Sequence, residues 1–208
     1  MDKLSDLPDA VVAGFGPVSI KFLELGITSF QKACKFVHEL PYGYNSDRED
    51  LMVLFRERRG TCTTKHAVIA TLAEELGLPV RKTVGIYKMT EPLVTGTDKI
   101  LERHRLPYLP MIHCFLAWGP HRVDLTEGNR NGKNGPVNTF LFTQEVAPTF
   151  SEKEEYLLYR RVLTNQILPL EEFRGVDLKT VLLARGEGLS LLKAHLSWPR
   201  GLGVLPIE

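Results

Sequence analysis

Apolar positions in the first third of the chain recur at helical spacing. Over residues 27–40, Phe30, Ala33, Cys34, Val37 and Leu40 fall three and four apart and Pro41-Tyr42-Gly43 stops the run, which predicts a helix closed by a turn. The preceding apolar stretch, residues 13–25, is interrupted by Gly14, Gly16 and Pro17, and its pattern assigns no element. Asn45-Ser46-Asp47 can cap a short helix over 48–58 with Leu51, Leu54 and Phe55 on one face. From Cys62 to Leu76 the pattern changes: Ala67, Val68, Ile69, Ala70, Leu72, Ala73 and Leu76 leave little of the circumference polar after the first turn. A helix apolar all round is a buried one, so this segment is expected at the hub of the fold, with Gly77 as its left-handed terminator and Pro79 just beyond.

The period then shortens to two. Residues 80–88, with Val84 and Ile86 alternating, predict a strand, and residues 90–104 predict an irregular polar stretch with room for a helical turn. Residues 111–118 and 122–126 are extended on either side of Gly119-Pro120-His121, which predicts a hairpin. The Asn/Gly-rich residues 127–136 predict a loop, a flap beside any cleft here, and residues 137–142 a further strand. From Ser151 the helical period returns. Ser151-Glu152-Lys153-Glu154 resembles a capping box ahead of Tyr156, Leu157, Tyr159, Leu163 and Ile167. A second helix over 177–185 runs on, past Gly186 and Gly188, toward His195, and the segment after Trp198 reads as irregular. The expected class is α+β: a catalytic core over residues 1–150 and a C-terminal helical extension over 151–208 packed on the same domain.

Composition narrows the function classes. The 208 residues carry 26 Lys and Arg against 25 Asp and Glu, with no basic block, so the footprint of a nucleic-acid binder is missing. No apolar run reaches the length of a membrane span, and the polar N-terminus is unlike a signal peptide, which leads to the expectation of a soluble cytoplasmic protein. Three widely spaced cysteines without a Cys-x-x-Cys pair suit reduced thiols better than a disulfide framework. No cofactor is expected, since the Gly-rich loop and Gly14-Phe15-Gly16-Pro17 both lack the spacing of a nucleotide cradle.

The candidate chemistry lies in Arg59-Gly60-Thr61-Cys62-Thr63-Thr64-Lys65-His66. A cysteine at the point where a loop becomes a helix sits among free backbone N–H groups and the positive end of the helix dipole, which favours a thiolate. A thiol attacking an amide needs a base, and the base needs a group that fixes its tautomer; His113 and Asp124, in the two halves of the expected hairpin, supply both types in order. Each residue also has a plainer reading: Cys62 as a small core hydrophobe, His113 as a core histidine, Asp124 as a strand terminator. His66, one turn after Cys62, is a rival base or a neighbour packed beside the cleft. Cys62, His66, His113 and Cys114 together are a third possibility as zinc ligands, although adjacent strand residues point to opposite faces. Lys65, Arg56, Arg58 and Arg59 read as a solvated basic face.

Three stretches resemble the transglutaminase-like superfamily of papain-like cysteine enzymes: Phe36-Val37-His38-Glu39-Leu40-Pro41-Tyr42 ahead of the nucleophile, Gly60-Thr61-Cys62 opening a helix, and His113 in a strand followed by Val123-Asp124-Leu125-Thr126. The resemblance covers roughly residues 28–126. It implies a central buried helix carrying Cys62 on an antiparallel sheet, with Cys62 as nucleophile, His113 as general base and then acid, and Asp124 as the orienting carboxylate. It also implies the Cys62 backbone N–H as an oxyanion donor. Tyr42, Thr61 and His66 are the candidates for substrate contact. Phe115 stands where relatives often carry tryptophan, and the segment from His113 to Asp124 is shorter than theirs. The expected activity is cysteine-dependent acyl chemistry on a peptide, protein or small amide, with hydrolysis favoured over transfer and no metal. The alternative is a catalytically inactive binding module that holds a peptide or protein partner in the same cleft.

Overall fold

The computed structural model describes residues 2–197. Its centre is a four-stranded antiparallel sheet in the order β3-β2-β1-β4, with helices packed around it, so the chain is α+β. The strands are β1 (Arg81–Met89), β2 (Leu109–Trp118), β3 (His121–Val123) and β4 (Phe142–Glu145). The helices are α1 (Pro17–Glu24), α2 (Phe30–Glu39), α3 (Val53–Glu57), α4 (Cys62–Glu75), α5 (Thr97–His104), α6 (Glu152–Val162) and α7 (Leu178–Ser197).

Helix α4 starts at Cys62, as its pattern predicts, and buries eleven residues, including Lys65 and His66. Gly77, at φ +68°, provides the left-handed turn beyond its end. The carboxylate of Glu75 then fixes α1, accepting the N–H groups of Val18 (3.0 Å) and Ser19 (2.6 Å). Those are free donors of a first helical turn, and a distant side chain satisfies them. That cap, with Pro17 at the first helical position, explains why an apolar segment broken by glycine and proline is a helix after all.

The hairpin forms across Gly119-Pro120, with Leu116 opposite Val123 and Trp118 opposite His121, so His121 is a strand residue rather than part of the turn. Two other expectations are displaced. The strand expected at 137–142 is β4, Phe142–Glu145, because Phe140 is taken up in packing on Phe115 (centroids 5.0 Å apart) across the bare backbone of Gly85. The helix expected over 48–58 shrinks to α3, and the expected cap is used elsewhere: Asn45 and Ser46 donate to the carboxylate of Glu57.

At the C-terminal end, Ser151 and Glu154 form the capping box of α6. Helix α7 runs unbroken through Gly186 and Gly188. Gly188 permits a close approach to the sheet, since a Cβ there would lie 2.6 Å from Leu109. Tyr159 of α6 donates its hydroxyl to the carbonyl of Pro110 at 2.8 Å. The irregular segment expected after Trp198 lies outside the described residues.

Two apolar cores meet at the sheet. One joins α1, α2 and most of α4 to Leu116, Val123 and Leu125; the other joins α6 and α7 to β1 and the opposite end of β2. Cys62 belongs to the second core while Val68, Ile69, Ala70, Leu72 and Ala73 of its own helix belong to the first. The candidate site stands at that junction. No helix among the described residues is long and apolar enough to cross a membrane.

Candidate functional site

The backbone around Gly60 sets the position of Cys62. The Pro41-Tyr42-Gly43 turn pairs with Gly60 through two bonds, Gly43 N–H to Gly60 O (3.2 Å) and Gly60 N–H to Pro41 O (3.1 Å), which brings Tyr42 beside the start of α4. A Cβ at position 60 would lie 2.7 Å from Thr64 Oγ1 and 2.8 Å from Leu54 Cδ1, so this approach requires glycine. The Thr64 hydroxyl accepts the Thr61 N–H (3.0 Å) and donates to Asn45 Oδ1 (2.8 Å), fixing the first turn. Cys62 is the first helical residue, so its N–H is one of the donors without an acceptor inside the helix.

The hairpin brings His113 to Asp124. Pairing of β3 ends at Val123; the chain then turns, with Glu127 N–H on Asp124 O, and the freed Asp124 side chain faces the middle of β2. His113 Nε2 donates to Asp124 Oδ2 at 2.7 Å, while Asp124 Oδ1 accepts both the N–H and the O–H of Thr126, each at 2.7 Å. With Nε2 so engaged, Nδ1 of His113 is left buried with no hydrogen-bond partner among the described residues. The neighbour that shares its charge is the Cys62 thiol.

Electrostatics favour an ion pair. Burial alone would push the His113 pKa down, but the Asp124 carboxylate and the Cys62 sulfur override it and hold His113 up at about 9. The Cys62 thiol is held well below its ordinary value by hydrogen bonding with Cys114, against the effect of burial, with the charges of His113 and Lys133 adding to the shift. Burial opposes ionisation of Asp124, and the charge and hydrogen bond of His113 outweigh it, so its carboxyl stays ionised. Tyr42 and Tyr87 beside this pair are pushed up by burial and remain neutral phenols.

His66 is the packed, hydrogen-bonded neighbour rather than the rival base. Its Nδ1 lies 2.6 Å from Cys62 O and its Nε2 accepts the N–H of Leu125 at 2.9 Å, which makes Nδ1 the protonated nitrogen. Burial lowers its pKa to about 4. The ring is therefore neutral, and its 3.5 Å approach to Asp124 Oδ1 is not an ion pair. With both nitrogens used, His66 is neither the base nor a zinc ligand, and it lies behind the cleft rather than on its wall, which removes it from the substrate-contact set. It ties the start of α4 to the segment just after Asp124. Among the described residues, the one group of ligand atoms close enough to hold a metal is the surface set Asp2, Asp6 and His121.

Lys65 likewise departs from expectation. It is fully buried, and its Nζ donates to the carbonyls of His38 (3.1 Å) and Leu40 (2.5 Å) and to Asn129 Oδ1. Asn129 also donates to His38 O (2.9 Å), and Asn131 to Thr126 O (3.0 Å), so the Asn/Gly loop is pinned to the core where a flap was expected.

Cys62, His113, Tyr42 and Thr61 line a cavity of about 840 Å³ together with Tyr87, Arg48, Arg185 and Lys133. Sequence reading missed Lys133, because only the pinned loop carries it to the cavity that Cys62 lines. The chain matches no protein-family model, no curated protein and no solved structure.

Proposed function

We propose that the protein is a transglutaminase-like cysteine enzyme that cleaves or transfers the acyl group of an amide. The observation that carries this reading is the line Asp124, His113, Cys62, with the last two on the wall of one cavity and the thiol at a helix N-terminus. The Cys62 thiolate attacks the amide carbon, and the carbonyl oxygen, now negative, accepts the N–H of Cys62. A preorganised donor of this kind contributes about 3 kcal/mol to the transition state. The His113 imidazolium gives its Nδ1 proton to the amine nitrogen, the C–N bond breaks, and a thioester remains. Water, or an amine in the transfer variant, then loses its proton to Nδ1 as it attacks the thioester, and the thiolate leaves. Asp124 stays ionised throughout and holds the ring with Nδ1 toward sulfur. Water is the simpler acceptor, since nothing in the cavity needs a second bound substrate.

Alkylation by iodoacetamide followed against pH, with peptide mapping to Cys62, and mass detection of an acyl adduct from a p-nitrophenyl ester test the proposal. Reaction at Cys62 well below pH 8 and an adduct lost in Cys62→Ala are expected. A thiol that reacts only near the free value of about 8.5 and takes no acyl group would overturn the enzyme reading and leave a binding module.

A further inference from the structure

Resting on that reading, we infer that the cleft takes amides carrying a free carboxylate, and that Lys133 is the residue that binds it. Lys133 stands on the cavity wall with Cys62 and His113, and its Nζ has no hydrogen bond or ion pair among the described residues; its recorded neighbour is the Tyr87 ring, 6.0 Å from the centroid. Its place is built rather than incidental. Lys133 N–H donates to Asn131 Oδ1 (3.1 Å), Asn134 N–H to Leu93 O (2.8 Å), and Gly132, at φ +83°, sits against α7 where His195 Nδ1 donates to its carbonyl (3.2 Å).

The cavity also carries Arg48 and Arg185. Glu155 is shared by Arg48 (2.5 Å) and Arg185 (3.6 Å), so one buried carboxylate answers two guanidinium groups, and each Nε is buried without a partner. A partly desolvated ammonium that makes no hydrogen bond favours an anionic acceptor on its ligand. The thiolate and the Asp124 carboxylate balance the His113 imidazolium and Lys133, so what Lys133 offers a substrate is an ammonium with no hydrogen bond of its own, beside the one guanidinium that Glu155 leaves over. An amide's usual anionic appendage is a carboxylate, and a lone ammonium facing one is a simple point-charge contact.

The test compares iodoacetate with iodoacetamide, two alkylating probes of similar size that differ in a carboxylate. The ratio of their plateau rates at Cys62, taken above the thiol pKa so that the thiolate fraction cancels, is expected to fall about tenfold in Lys133→Met and to be held within twofold in Lys133→Arg. A ratio unchanged in Lys133→Met overturns the inference, even if the pH profile moves, since that would make Lys133 a thiolate partner and nothing more. In the wild-type protein, glutaramate is expected to protect Cys62 from iodoacetamide at a concentration at least tenfold below that of glutaramide; equal protection overturns the inference without requiring any variant. Failure of the proposed function is a separate result, in which neither reagent reaches Cys62 below pH 8.

Discussion

Asp124 grips His113 with one carboxylate oxygen and Thr126 with the other, so the ring is fixed in tautomer and in direction by a residue that is itself fixed. Pairing of β3 ends at Val123 and the chain then turns, with Glu127 N–H on Asp124 O.

Asp124→Asn removes the charge that holds His113 near pH 9, leaving burial to push the histidine down. The imidazolium is then lost at neutral pH, and the Cys62 thiol pKa rises. Alkylation of Cys62 at pH 6 is expected to slow at least tenfold, while the fold, read by circular dichroism, survives.

Stability is expected to fall on the acid side of neutrality. His66 is held at about 4, below its ordinary 6.5, so its contribution is complete above pH 6.5 and is lost as pH falls toward 4. A shift of this size is worth about 3 kcal/mol. His113 is raised to about 9 while the Cys62 thiol is lowered, so between pH 6.5 and the ordinary thiol value the proton His113 keeps is the one Cys62 has given up, and the pair adds no alkaline loss. Urea midpoints from pH 4 to 9 check this, and His66→Gln is expected to flatten the acid limb.

Gly60→Ala places a methyl group against Leu54 and Thr64 at the mouth of α4. Overpacking of this kind costs about 1–3 kcal/mol, and because the displaced turn carries Cys62, alkylation is expected to slow with it. Denaturant titration and labelling rate, measured on the same sample, test whether the two effects appear together.

Within α7 two glycines separate by environment. Gly186 faces open space, so Gly186→Ala is expected to stabilise by about 0.5–1 kcal/mol through helix propensity. Gly188 faces Leu109 and Met89, so Gly188→Ala is expected to destabilise in spite of the same gain. Opposite changes in melting temperature are the check.

Lys65→Met leaves the carbonyls of His38 and Leu40 and the amide of Asn129 without their shared donor, at a cost of about 2–4 kcal/mol. Amide exchange over residues 127–135 is expected to rise as well, because the loop loses its anchor to the core.

Much of this was legible in order along the chain. The all-apolar circumference of α4, its Cys62 start and Gly77 end, the hairpin about Gly119-Pro120 and the Ser151 capping box are local signals, each set by residues within a few positions of one another. The triad candidates were legible as residue types in sequence, since a hairpin constrains which strand residues can meet. Lys65, Lys133 and the partner of His66 were not. Lys65 sits in a string of charged and polar residues that looks solvated, yet acceptors 25, 27 and 64 positions away bury it. His66 has the helical offset of a catalytic partner, yet Leu125, 59 residues on, occupies its free nitrogen.

The sequence by itself determined the elements and the order in which cysteine, histidine and aspartate are presented, because periodicity and turn chemistry act over short range. Only the tertiary structure decided which nitrogen of His113 is free, that His66 is neutral and committed to the backbone, and that a lysine from the Asn/Gly loop reaches the nucleophile. Those outcomes depend on where buried donors find acceptors, and desolvation enforces such pairings between residues that nothing in the linear order connects.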